Sequence, residues 1–275
     1  MEEYFNYMVM KQVQTFKEYQ DIVAQYGIRG CASNDYIQNE AADLIIHNLL
    51  FAACSEKNAF LFVKKGGFYR VYYYINDFDD VMDFGSEEVV TEILFRGSIG
   101  EPAQQVAYLE KCGFKRNLVR DQYIAKYSSF TAPVLIGGIK IGFAETIEQV
   151  EWAIKLFNAS FDKWSGDYIP LEKSGLLFQE QGVLLATDVN GTPLGALEIE
   201  KRQGCTWLNH VVVVHEARGQ KVGRGLVEAY IEQGHVDDNS RYAVWVQRQN
   251  TPAVKMYQNK GFTYSNKSTL SMIKK

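Results

Sequence analysis

The chain has 275 residues, of which 47% are hydrophobic and 23% charged, and its formal net charge is −4 at pH 7. That balance excludes a disordered chain, and interspersed charges of both signs leave no basic stripe for nucleic acid or an acidic membrane surface. At this length two domains are the default.

The opening MEEYFNYMVM carries acids where a secretory leader needs bases. The longest near-apolar stretch, 41–54, is interrupted by Asp43, His47 and Asn48 and falls short of the roughly 20 residues that cross a bilayer. A cytoplasmic protein with no membrane partner is expected. Cys31, Cys54, Cys112 and Cys205 form no CxxC pair and have no histidine set nearby, so they read as reduced thiols, and no metal site is expected.

In chain order, the apolar spacing predicts helices over 15–25 and 36–50, then two strand-like runs, 59–63 and 68–75, split by Gly66 and Gly67. Residues 78–88, FDDVMDFGSEE, are acidic and would repel a phosphate group. AYLEKCGF, 107–114, reads as a short helix that stops at glycine before another strand. Residues 131–138, with Pro133 and Gly137-Gly138, are the expected boundary, which divides the chain into domains 1–130 and 131–275.

In the second half IKIGFAE, 139–145, reads as a strand. Thr146 can cap a helix whose apolar positions Val150, Ala153, Ile154 and Phe157 keep the helical period. A helical or irregular stretch follows, and then Asn190-Gly191 between two apolar runs signals a hairpin. The valines 211–214 favour a buried strand, because β-branched side chains suit an extended backbone. Glycine and basic residues crowd 218–225, and an amphipathic helix is expected from Leu226, with Val227, Tyr230 and Ile231 at helical spacing. A helix start exposes unpaired N–H groups and a partial positive charge, so phosphate oxygens suit it. Gly219, Gly223 and Gly225 allow close backbone approach, while Arg218, Lys221 and Arg224 add positive charge. A ligand carrying phosphate is expected, with an ordinary strand-to-helix loop as the alternative.

A second segment, 242–262, comprises an alternating strand, Asn250, a short helix near 253–259 and a Gly261 stop before Phe262. Its KMYQNKGF, 255–262, parallels AYLEKCGF, and both halves share a helix–helix–hairpin order. This reads as a decayed internal repeat, with an unrelated first domain as the alternative.

Together the two segments resemble the GNAT superfamily, the Gcn5-related N-acetyltransferases, from about residue 139 onward. Val213, Arg218, Gly219, Gly223 and Leu226 are similar to the family's strand and RGxGxG pyrophosphate loop. Asn250, Ala253, Tyr257, Gly261 and Phe262 are similar to its later motif, whose asparagine and tyrosine face coenzyme A. Lys221 then stands where the family has its first glycine. If Gln220 opens the loop instead, Gly223 and Gly225 complete a QxxGxG pattern; the first register keeps the usual spacing of Val213 and Leu226 from Arg218. The resemblance implies an α/β chain with a mixed sheet: a GNAT fold in the C-terminal half, and a smaller, degenerate GNAT-like domain without the coenzyme A loop before it.

It further implies acetyl-CoA as the acyl-donor cosubstrate, no metal, and direct transfer to a primary amine of a small molecule or peptide. The implied cofactor-binding residues are Val211, Val212, Val213, Arg218, Gly219, Gln220, Lys221, Val222, Gly223, Arg224, Gly225, Asn250 and Tyr257. Tyr257 is the implied acid for the leaving thiolate. For the base, His210 precedes the valines and imidazole suits proton transfer near neutrality, while Glu198 and Glu200 share one strand face. Structural roles for all three stay open, as do a homodimer and a pocket role for Trp164, Tyr168 and Trp207. The alternative from another class is a coenzyme A-binding regulatory or partner-binding protein whose catalysis has lapsed.

Overall fold

A computed structural model describes residues 6–7, 9–131, 137–165, 168–202 and 204–275. Most of the acidic opening, residues 1–5 and Met8, and the expected boundary residue Pro133 lie outside the described residues. Two compact units divide the chain: Met1–Val119 with Ser268–Lys275, and Arg120–Lys267.

The first unit runs through β1 (Asn6–Tyr7), β2 (Lys11–Gln12), α1 (Phe16–Tyr26), β3 (Ala32–Ser33), α2 (Ala41–Ile46), β4 (Leu50–Cys54), β5 (Ala59–Lys65), β6 (Phe68–Ile75), β7 (Met82–Asp83), β8 (Val89–Arg96) and α3 (Ala103–Lys111). β9 (Lys115–Lys126) then carries the chain into the second unit. Compactness divides the chain ahead of residue 131 because the later part of β9 pairs with a strand of the second unit, described below.

Thr15 starts α1 by accepting from the Glu18 N–H at 3.1 Å. The expected helix over 36–50 is a correction: only α2 is helical, Asn48 turns the chain at φ 57, and Leu50 opens β4. An apolar run fits either period, and here pairing with β5 decides, from Leu50↔Val63 to Cys54↔Ala59. β5 is apolar from Ala59 to Val63 because both faces are covered there. Phe60 and Phe62 join one core with Tyr73, Phe84 and Ile93, and Ala59, Leu61 and Val63 join the other with Tyr19 and Leu44.

β6 and β8 are parallel, but their pairing covers only Tyr69↔Val89 to Val71↔Thr91, although both strands continue. The gap that opens is filled by this unit's own chain. β3 pairs with β6 at Ile75 and Tyr74, and the buried Asn34 spans the opening, accepting from Tyr73 N at 2.7 Å and donating to Glu92 O at 2.7 Å. Residues 76–88, which join these two strands, form no helix.

The second unit continues with β10 (Lys140–Phe143), α4 (Ile147–Ser160), α5 (Ser174–Gln179), β11 (Val183–Thr187), β12 (Pro193–Arg202), β13 (Cys205–Val213), α6 (Val222–Gly234), β14 (Arg241–Gln247), α7 (Thr251–Lys260) and β15 (Thr263–Lys274), whose end returns to the first unit. Its strand order is β10-β11-β12-β13-β14-β9, antiparallel except for β13 against β14. β14 pairs with β9 from Arg241↔Lys126 to Gln247↔Arg120. The sheet lies between helices. Val183, Leu185, Ala196 and Val212 pack with the α4 residues Val150, Ala153, Ile154 and Phe157, while Leu184, Ala186, Leu197 and Leu208 pack with α6 and with Tyr257 of α7. The helix capped by Thr146 and the hairpin at Gly191 (φ 85) form where the spacing places them. α7 ends at Gly261, whose φ of 112 and 2.2 Å from a built Cβ to Ser129 O leave room for no side chain.

Candidate acyl-CoA site

The central feature of the second unit is a strand pair that is clamped at one end and open at the other. β13 and β14 pair only from Cys205↔Arg241 to Leu208↔Val244, though they run on to Val213 and Gln247. At the closed end the Tyr230 hydroxyl of α6 donates to Thr206 O at 2.7 Å and lies 3.2 Å from Ala243 O, tying both strands to the helix. Beyond Leu208, β14 stays with β9, and among the described residues no strand pairs with β13 on that side. Val214 N–H donates to Leu194 O of β12 at 3.0 Å, so by strand alternation Val212 also faces β12, and the main-chain amides of Val211 and Val213 border a slot inside the unit.

A bulge begins at the same point. Glu198 pairs with His210 but Ile199 pairs with Leu208, so Asn209 is an extra residue on β13. It inverts the facing of the strand: Leu208, Val211 and Val213 all pack on the α6 side, whereas Val212 packs on the α4 side. Gly195 of β12 makes the strand contact close, because a Cβ there would lie 2.7 Å from Val212 O.

The slot leads to the start of α6. The helix begins at Val222, not at Leu226 as the spacing suggests, so Gly223 and Gly225 lie in its first turn. Gly225 N–H is bonded back to Lys221 O at 3.0 Å, and no side chain caps the helix. The N–H groups of Val222, Gly223 and Arg224 are the donors that a helix start leaves over. Lys221 itself sits at φ 66 and Gly219 at φ 81, so Lys221 adopts the left-handed conformation that favours glycine. Gly223 is half-buried against Val213, with 3.4 Å between a built Cβ and the Val213 Cγ2. Arg218, Gln220, Lys221 and Arg224 are exposed around this turn. Arg218 Nε reaches back to Val213 O at 3.4 Å and Gln220 Nε2 to Glu216 O at 3.0 Å. Positive charge, uncapped donors and a glycine close to the strand fit a diphosphate.

α7 is set beside this corner by two ionic contacts. Arg248 holds Asp121 through two bonds, of 2.9 and 2.7 Å, fixing the loop that leads to Asn250. Buried Lys260 reaches Glu228 of α6 at 2.5 Å and Thr131 O at 2.7 Å. Asn250 caps α7 by accepting from Ala253 N at 3.2 Å. Tyr257 is buried, its ring 5.6 Å from that of Phe262, and burial pushes its phenol well above the ordinary tyrosine range, so the hydroxyl stays protonated.

On the α4 side, His210 is buried between Phe157 and Phe161, at ring distances of 5.2 and 5.0 Å, and its Nδ1 is hydrogen-bonded to Glu198. Glu200 lies apart from that pair and accepts from Asn209 Nδ2 at 3.0 Å. Trp164 is core, Tyr168 is exposed, and half-buried Trp207 stacks under Arg202 at 4.7 Å. The four cysteines are unpaired thiols, and among the described residues no cluster of metal-ligating side chains occurs. No helix of the described residues is long and apolar enough to cross a membrane.

Sequence reasoning missed the Glu198–His210 pair and the Tyr230 clamp. Gly195 inside an apolar strand was a readable sign of close backbone approach.

Several solved structures have the same fold. A GCN5-related N-acetyltransferase from Sphaerobacter thermophilus aligns at TM-score 0.61 and 14% identity, covering 97% of this chain and 95% of that one. A tandem GNAT protein from the clavulanic acid biosynthesis pathway aligns at 0.62 and 12% identity over 97% and 98%. A GCN5-related glucosamine N-acetyltransferase region of a fungal multi-domain β-N-acetylglucosaminidase aligns at 0.64 and 13% identity, covering 96% of this chain and 38% of that one. No curated protein matches the chain. Residues 145–262 match the acetyltransferase (GNAT) family, and with the slot, the uncapped helix and the α/β order in place, this part of the chain belongs to that family.

Proposed function

We propose that the protein is an N-acyltransferase that takes an acetyl group from acetyl-CoA and gives it to a primary amine, with catalysis in the second unit. The observation that carries this reading is the slot between β13 and β14 running into the uncapped start of α6. When bound, the cosubstrate supplies an activated thioester. The N–H groups of Val222, Gly223 and Arg224 hold its diphosphate, with Arg218, Gln220 and Lys221 at the rim. Amides of Val211 and Val213, on the edge of β13 away from Val212's bond to β12, align the pantetheine arm and receive the carbonyl oxygen as negative charge builds on it.

The amine nitrogen bonds to the carbonyl carbon as the carbon–sulfur bond breaks. His210 takes the proton from the amine, and Tyr257 gives one to the departing thiolate. Asn250 orders the start of α7, which carries Tyr257. The first unit takes no part in cosubstrate binding in this reading. Its corresponding gap is filled by Ala32, Ser33 and Asn34, and it has no helix start where a diphosphate would rest.

Calorimetric titration with acetyl-CoA should give one site per chain, and ligand at about 100 times its dissociation constant should stabilise the fold by roughly 2.7 kcal/mol. Release of free thiol in a panel of amino acids, polyamines, aminoglycosides and peptide N-termini then identifies the acceptor. Absence of binding contradicts the proposal. Binding without thiol release from any amine favours the regulatory reading, and two sites per chain contradict the role given to the first unit.

A further inference from the structure

Glu198 and His210 are directly opposed on β12 and β13 only because of the bulge at Asn209; in an uninterrupted ladder Glu198 would face Asn209. The carboxylate is largely buried, with 12% of the Glu198 side chain exposed, and the imidazole retains 7%. Burying a carboxylate is costly unless it is hydrogen-bonded, and here it meets the imidazole Nδ1. The ring's other freedoms are removed by Phe157, stacked at 25° between planes, and Phe161, tilted at 59°. An ionised carboxylate can only accept, so Nδ1 carries the hydrogen and the basic lone pair of the neutral ring is on Nε2.

We infer that Glu198 is a positioning residue: it fixes His210 in the Nδ1–H tautomer and holds the ring so that Nε2 receives the proton from the acceptor amine. This rests on the reading of His210 as the base. The transferred proton goes from the amine nitrogen to Nε2. Glu198 stays ionised and stabilises the imidazolium that results. Because this carboxylate touches neither cosubstrate nor amine, its removal should act on kcat and leave the apparent affinity for acetyl-CoA alone.

The test combines kinetics with nitrogen NMR on the full chain. His210→Gln should lower kcat by about 10²- to 10⁴-fold, and Glu198→Gln by at least about 10-fold with the KM for acetyl-CoA unchanged. The double variant should be little worse than His210→Gln alone, because the two act as one unit. In ¹⁵N spectra of the wild type, the signal assigned to His210 by its loss in His210→Gln should report the Nδ1–H tautomer, and Glu198→Gln should change it. If His210→Gln is impaired while Glu198→Gln keeps kcat within twofold, the positioning role falls and the base survives. If His210→Gln is fully active, the base reading itself falls, and this inference with it. A wild-type Nε2–H tautomer overturns the inference even if Glu198→Gln does not fold.

Discussion

Gly223→Asp is expected to weaken acetyl-CoA binding by at least about 100-fold, equivalent to about 2.7 kcal/mol, while leaving the protein folded. The site tolerates a Cβ, whose nearest neighbour would be Val213 Cγ2 at 3.4 Å, an ordinary contact. A carboxylate in the first turn of a helix is favourable to that helix, because it complements the partial positive charge there. The same carboxylate competes with the diphosphate for the N–H groups of Val222, Gly223 and Arg224 and repels it by like charge. Stability and affinity should therefore separate. Calorimetric titration together with thermal denaturation of the variant measures both, and an affinity within about threefold of wild type would refute the diphosphate placement. Gly223→Ala, which adds the Cβ without the charge, should bind far better than the aspartate variant.

Tyr257→Phe should reduce kcat by about 10²- to 10⁴-fold, the usual worth of a general acid. The replacement removes one hydroxyl from a ring buried beside Phe262, so packing is conserved and the fold should stay intact. Burial raises the phenol's pKa, which means that the protonated form persists as pH rises into the ordinary tyrosine range. Loss of rate at alkaline pH should therefore not come from ionisation of Tyr257. Single-turnover thiol release isolates the chemical step. A variant as fast as wild type in that assay would remove Tyr257 from the mechanism.

Much of the second unit was readable from residue pattern because local preference and tertiary demand agree there. Thr146 caps α4, the asparagine–glycine pair turns the hairpin, and Gly261 ends α7 in a conformation that only glycine takes easily. The start of α6 was less legible. Gly223 and Gly225 read as loop residues by propensity, yet they lie inside the helix because its first turn runs close against Val213. The stretch from 36 to 50 misleads for a related reason: its apolar residues suit a helix, but Leu50 belongs to a strand paired with Val63.

The bulge at Asn209 leaves no mark in hydrophobic alternation, since the valines after it are apolar on both faces. Without that extra residue the partner of Glu198 is misassigned. Only the ladder brings the carboxylate to His210, so a pair distant in sequence and set by register escapes any reading based on spacing. In the first unit, the gap between β6 and β8 and its filling by Asn34 are likewise products of pairing, not of composition.

A crystal structure with acetyl-CoA bound tests the whole account most directly. The diphosphate oxygens should lie within about 2.7–3.2 Å of the amide nitrogens of Val222, Gly223 and Arg224, with the pantetheine arm bonded to the main chain of β13 beyond Leu208. Density for the cosubstrate elsewhere, with the strands drawn together and that helix start facing only solvent, would contradict it.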